Sequence, residues 1–423
     1  MMSAGAMPTR QMVAYGALGF PLAFAALPLY VHVPQLYADS VGLALVGAVL
    51  LLTRFADALI DPLLGQWSDR LGNRRRLIAF ALPALALGLA ALLAPPTNGG
   101  VAWLVLTLAL TFIGFSLATI NYHAWGAEIG ETPQERVRVT AAREMFALGG
   151  VVVAAALPSL LASDAATALR HLGWLFVPIL ALAALATFTG APPANAAAGT
   201  TQQGLPLSAV FADPRFRRLL IVLAAGGIAS AIPATLVLFF IADVLQLQEW
   251  QGLFLVIYFV CGGLALPGWV ALARRYGKVR AWLASMVLAI ASFVWAFLLD
   301  AGDGIAFALI CAASGAALGA ELALPPALLA DLLADGRRAG RAAAGAGAYF
   351  GVWNFVTKFN LALAAGIALP LVALFGYKVG GGDTANQGLF ALAATYALLP
   401  AAIKVVSLWL LWRWKPHFEG STT

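Results

Sequence analysis

The chain has 423 residues, 62% of them hydrophobic and only 10% charged, with a mean hydropathy of +0.89. Soluble domains carry roughly 25% charged residues, so most of this apolar surface has to face lipid. The composition excludes a nucleic-acid binder despite the formal charge of +6, and it leaves no polar stretch in which a soluble catalytic domain would fit.

A membrane-spanning helix needs about 20 apolar residues with its backbone bonds satisfied internally. Taken in chain order, twelve apolar runs meet that need: 12–36, 41–67, 77–94, 101–128, 140–162, 171–190, 216–243, 251–273, 281–299, 304–333, 342–376 and 387–413. The first follows a short leader bearing Arg10 and is too long for the apolar core of a signal peptide, so an uncleaved span is expected. Lys and Arg concentrate in alternate loops, chiefly those around Arg70 and Arg74 to Arg76, Arg136 and Arg138, Arg215 to Arg218, Arg274 to Arg280, and Arg337 to Arg341. The opposite loops hold only Arg170 and Lys378. This asymmetry predicts that both termini are cytoplasmic, which requires an even number of spans.

Between spans six and seven runs PPANAAAGTTQQGLPLSAVFAD, rich in Pro, Gly and polar residues and without hydrophobic periodicity. It reads as a cytoplasmic linker over 191–214 between a six-helix half at 1–190 and another at 215–423. The halves echo each other: SDRLGNRRR after span two returns as ARRYGKVR after span eight, with Arg70 and Arg275 standing 205 positions apart. Parallel repeats of this kind predict an all-α membrane protein with the major facilitator fold, twelve transmembrane helices in two halves. Cys261 and Cys311 lie in apolar runs and offer no disulfide framework or metal-ligand spacing, so neither a metal nor a cofactor is expected.

Ionisable groups within the bilayer cost at least about 2.5 kcal/mol each, so they pair, face water or carry function. Span two holds Arg54, Asp57 and Asp61 on one helical face, with Pro62 loosening the backbone beside the second carboxylate. Arg143 and Glu144 lie in span five, Glu321 in span ten, Lys358 in span eleven and Lys404 in span twelve, the last without an evident partner. Asn121, His123 and Trp125 share span four; Trp353 and Asn354 precede Lys358. Asp69, Arg70 and Arg75 sit in the basic turn after span two, where charges repack between two states of a moving interface. Gly315 with Gly319, and Gly347 with Gly351, have the spacing of close helix contacts.

The stretch RFADALIDPLLGQWSDRLGNRRR resembles the helix-two signature of the glycoside-pentoside-hexuronide cation symporters, the melibiose carrier group of the major facilitator superfamily. Tyr15 with Gly16, TINYHAWGAEIGE leading to Arg143, and LLADLLADGRRAG leading to span eleven agree with that group in order, so the resemblance covers essentially the whole chain. It implies that Asp57 and Asp61 form the cation or proton site with Arg54 beside them, that Lys358 faces them, and that Tyr15, Arg143 and Trp125 border the solute. Ala23, Ala118 and Asn121 stand where the melibiose carriers have acidic or hydroxyl residues, which puts melibiose itself in doubt. The expectation is a secondary active transporter and not an enzyme: a symporter of a sugar, glycoside or related small organic solute. The coupling ion expected is a proton ahead of sodium, because few oxygen ligands surround the acids. The substrate-binding candidates are Asn121, Trp125, Arg143, Tyr15, Trp353, Asn354 and Glu321. Transport of a lysolipid or other amphipathic molecule is the alternative. The protein is expected to work as a monomer in the bilayer of a bacterial inner membrane.

Overall fold

A computed structural model describes residues 7–33, 36–37, 43–96, 99–162, 164–193, 207–338, 345–377 and 386–418. Regular structure among them is helical: α1 (Thr9–Gly16), α2 (Gly19–Val31), α3 (Leu43–Leu71), α4 (Arg74–Leu93), α5 (Val101–Ile129), α6 (Pro133–Leu161), α7 (Ala165–Gly190), α8 (Leu207–Ala212), α9 (Pro214–Phe239), α10 (Gln251–Tyr276), α11 (Lys278–Phe293), α12 (Gly304–Arg338), α13 (Ala346–Leu374), α14 (Asn386–Ala393) and α15 (Leu399–Phe418). Among the described residues, eleven helices are long and apolar enough to cross a membrane. The remaining expected span is α3, which has the length but carries Arg54, Asp57, Asp61, Asp69 and Arg70.

The first expected span divides into α1 and α2, although helical dihedrals continue through Ala17 and Leu18. Pro21 has no N–H to return to the Ala17 carbonyl, which instead accepts from Phe20 at 3.2 Å. In the last expected span a π-helical turn, Ala394–Leu398, separates α14 from α15, and another, Phe240–Val244, follows α9. The linker expected at 191–214 falls mostly outside the described residues, as do Arg341 and Lys378.

Local sequence explains most helix starts. Thr132 and Glu135 form a reciprocal capping box ahead of α6, with Pro133 at its first turn, while Asp164 and Asp213 accept backbone N–H groups at the starts of α7 and α9. Gly72 (φ 70°) and Gly277 (φ 89°) close the short turns into α4 and α11, in the left-handed region that favours glycine.

The chain forms two compact units: Met1–Ala212 with Ala330–Phe355, and Asp213–Leu329 with Val356–Thr423. The C-terminal part of α12 and the N-terminal part of α13 thus belong to the first unit. Glycines let helices within each unit touch by backbone. A Cβ on Gly65 of α3 would lie 2.1 Å from the Gly347 carbonyl oxygen of α13, and one on Gly351 would lie 2.5 Å from that of Asp61. In the second unit Gly315 and Gly319 of α12 abut the Tyr258 and Gly262 carbonyls of α10 at 2.2 and 2.5 Å by the same measure. Both GxxxG pairs therefore lie at helix contacts.

Candidate functional site

In the first unit α3 carries the expected coupling acids. Asp61 is fully buried and Asp57 nearly so, one helical turn apart, and Ser116 of α5 donates its hydroxyl to Asp57 Oδ1 at 2.7 Å. Arg54 is half-buried and donates to the Leu29 carbonyl at 3.1 Å, near the C-terminal end of α2 where the helix dipole favours a cation. Asn121 is buried, but both faces of its amide are engaged: Oδ1 accepts from Ser68, and Nδ2 donates to the Leu117 carbonyl at 2.8 Å.

Two turns beyond the acids, α3 ends in a buried ion network. Asp69 is ion-paired with Arg74 and also accepts the backbone N–H groups of Gly347 and Ala348, at 2.8 and 2.7 Å, in the first turn of α13. First-turn N–H groups lack the i−4 acceptors of the helix interior, and Ala348 finds only the Gly345 carbonyl at 3.2 Å, so a carboxylate here serves both and complements the dipole. Arg74 also reaches Glu128 of α5 at 3.2 Å and Ser68 at 2.6 Å. There is no room for a side chain here: a Cβ on Gly345 would fall 1.9 Å from Asp69 Cγ. Arg136 of α6 makes a second buried tie, 2.8 Å to Asp331 of α12. Of the gating candidates, Asp69 is in the network, while Arg70 points outward and is exposed. Arg75 lies over the rings of Trp125 and Phe188, at 5.5 and 5.9 Å, and donates to the Phe188 carbonyl.

The aromatic candidates cluster at the interior of the first unit. Tyr15 and Tyr122 exchange hydrogen bonds, each hydroxyl donating to the other's carbonyl at 2.8 and 2.5 Å. Trp125 is fully buried edge-on to Tyr15, with its indole N–H donated to Pro192 at 3.2 Å. Arg143 is buried and bridged to Glu144 through two nitrogens, at 2.8 and 2.5 Å. Trp353 and Asn354 are buried on α13.

The second unit holds Lys358 and Asn360 on α13, and Glu321 on α12 paired with Lys404 of α15. Asn360 packs against Gly227 of α9. Sequence reasoning did not find Arg74, Glu128 and Ser68 as a network, Ser116 as a partner of Asp57, or Glu321 as the partner of Lys404. Every one of these pairings joins different helices, and helices this apolar show no polar stripe to fix their rotation.

Helices of this length, with carboxylates buried in a span and a charged turn at its end, define a multi-pass membrane transporter. Solved structures agree on the fold. The chain is similar over 97% of its length to the E. coli fucose:proton symporter FucP (TM-score 0.71, 14% identity, 98% of that chain covered). It is similar over 97% to a bacterial homologue of the iron transporter ferroportin (0.69, 15%, 100% covered) and over 96% to the human organic anion transporter MFSD10 (0.67, 19%, 100% covered). Residues 12–415 match the MFS/sugar transport protein family, and the chain belongs to it; its relatives are transporters, not enzymes. A stretch of 151 residues is 34% identical to the uncharacterized symporter YnaJ of Bacillus subtilis strain 168, covering 33% of this chain and 32% of that relative's length.

Proposed function

We propose that this transporter couples protons to the symport of a sugar, glycoside or related small organic solute by alternating access, with Asp57 and Asp61 as the coupling carboxyls. The observation that carries the reading is the burial of both acids one turn apart in the middle of a membrane-length helix. Two carboxylates so close are costly to keep ionised together, and a bound proton relieves that cost with one oxygen where sodium needs several ligands. The engagement of Asn121 by Ser68 and Leu117 supports the proton, because it removes the amide oxygen that span four would have lent to a metal ion. The relatives add support: YnaJ is named a symporter and FucP a fucose:proton symporter.

Lys358 is assigned as the counter-charge of the acids on the family resemblance. The Arg143–Glu144 pair, with Asn354 and Trp353, supplies polar and aromatic contacts to the solute. Asp69 at the end of α3, paired with Arg74 and bonded to the first turn of α13, forms the latch that one conformation makes and the other breaks. The asymmetry of Lys and Arg between loops supports cytoplasmic termini, and the reading takes the protein as a monomer in a bacterial inner membrane.

The test is the pH change driven by D-galactose in proteoliposomes with choline replacing sodium. Alkalinisation of the outside medium is expected in the wild type and its loss in Asp61→Asn. Sodium-dependent uptake without proton movement would replace the proton by sodium. Proton movement retained in Asp61→Asn would shift the role to Asp57.

A further inference from the structure

Lys404 sits in the second turn of α15, buried in the second unit, and its ammonium is ion-paired with Glu321 of α12. Ser230 of α9 bridges the two, with its hydroxyl 3.1 Å from Lys404 Nζ and 3.2 Å from Glu321 Oε2. Their side chains are 7% and 17% exposed, so the acid is the more open of the two. Tyr258 of α10 lies within electrostatic reach of Glu321.

The backbone is loosened around this trio. Pro233 leaves the Ala229 carbonyl without its helical donor, and α9 then runs into the π-turn at Phe240–Val244. Lys404 follows the π-turn at Ala394–Leu398 and Pro400 within two helical turns. Such turns in a spanning helix are frequent at functional sites, where polar groups take up the freed carbonyls.

A one-to-one ion pair closes its own charge, which decides what can open it. A neutral solute has nothing to offer Lys404 that would replace a carboxylate, and parting the pair without replacement leaves two buried charges uncompensated. An anionic group on the solute replaces Glu321 at the ammonium, and Glu321, pushed aside, is then neutralised by one proton. We infer that Lys404 is the docking point for a carboxylate on the transported solute, and that Glu321 takes up a proton from water as it is displaced. One O–H bond forms on Glu321, one negative charge and one proton enter together, and the net charge of the trio with its bound solute stays at zero. This rests on the symport reading above and gives the solute a class: a small acid, such as a sugar acid.

The experiment uses D-galacturonate and D-galactose, which differ in having a carboxylate or a hydroxymethyl group on the same ring. Thermal stabilisation of the purified protein and proton-driven uptake in proteoliposomes are measured for both, across a series of pH values. Galacturonate is expected to stabilise the wild type more at lower pH. Lys404→Gln should weaken its binding roughly thirtyfold or more, and Lys404→Arg should keep part of it. Glu321→Gln should bind galacturonate with a shallower pH dependence and move one proton fewer with each galacturonate, the proton at Asp57 and Asp61 being kept. The double variant Glu321→Gln with Lys404→Gln leaves a neutral pair around Ser230 and guards against a folding artefact: it should melt near the wild type and ignore galacturonate. Undiminished galacturonate binding in Lys404→Gln, or a pH dependence and proton count unchanged from the wild type in Glu321→Gln, would overturn the inference. A wild type that carries galactose with protons but neither binds nor carries galacturonate overturns it alone. A wild type that moves neither solute overturns the reading of function as well.

Discussion

Gly72 and Gly277 close equivalent turns in the two units, at the offset that separates Arg70 from Arg275, and both have positive φ. What surrounds them differs at the inward positions. In the first turn Ser68, Asp69 and Arg74 are buried and build an ion network with Glu128 and the first turn of α13. In the second, the matching residues are Ala273 and Val279, both buried, and Arg274, which is exposed. The exposed arginines are kept in both, as loop orientation requires. Backbone shape and surface charge are therefore properties of the repeat, whereas the Asp69–Arg74–Glu128 network uses side chains that the second turn replaces. There the buried cation is Lys278, which donates to the Ala327 carbonyl at 3.3 Å. Buried ion networks are weak evidence for stability, so the different side chains at the same turn fit a role for the first network beyond folding, as in the proposed latch.

The sharpest way to break this comparison is to remove the central cation. Arg74→Ala leaves Asp69 and Glu128 buried without their partner, a loss of about 3 to 5 kcal/mol. Val279→Ala, at the matching position, removes two methyl groups and should cost about 2 kcal/mol. Unfolding in detergent followed by tryptophan fluorescence reads both, and equal losses would mean that the ion network is only packing in another form.

The glycines come next. Gly277 has φ 89° and ψ 154°, a conformation almost restricted to glycine, so Gly277→Ala should cost roughly 1 to 3 kcal/mol. Gly72 has nothing within 4 Å of an added Cβ, so Gly72→Ala should cost only the left-handed penalty of about 1 to 2 kcal/mol. Asparagine, which tolerates that region, should recover stability at 72 and fail at 277 when melting temperatures are compared.

The two turns also show what could be read from sequence. The motif spacing, the repeat, the loop charges and the twelve runs were legible because each is local: a run length, a glycine, a cluster of arginines. The location of Asp57 and Asp61 on one face of α3 followed from helical spacing alone. The partners did not follow. Arg70 was the latch partner expected for Asp69, and only the trajectory into α4 buries Arg74 in its place and leaves Arg70 exposed. Lys404 stood without a partner because Glu321 is on another helix, and an apolar helix presents much the same side chains to lipid as to its neighbours.

The smallest effect concerns how the helix after each turn begins, and it separates geometry from charge. Asn73 caps α4 by accepting the Arg76 N–H at 3.1 Å, whereas Gly277 caps α11 with no side-chain bond. Asn73→Ala should therefore cost about 1 kcal/mol at any pH. Asp164 makes the same bond ahead of α7, accepting the Thr167 N–H at 2.8 Å, and that bond holds its carboxyl below the usual carboxylate range. A carboxyl whose pKa is lower folded than unfolded contributes its full stabilisation above the unfolded value and loses it as pH falls through the folded one. Asp164→Ala should thus speed hydrogen exchange in the first turn of α7 at neutral pH. The variant-to-wild-type ratio should approach one once the pH is below the folded pKa. Asn73→Ala, measured the same way in α4, should keep its ratio throughout. A ratio for Asp164→Ala that ignores pH would make that cap a matter of geometry, as at Asn73, and remove charge from the account of how these helices start.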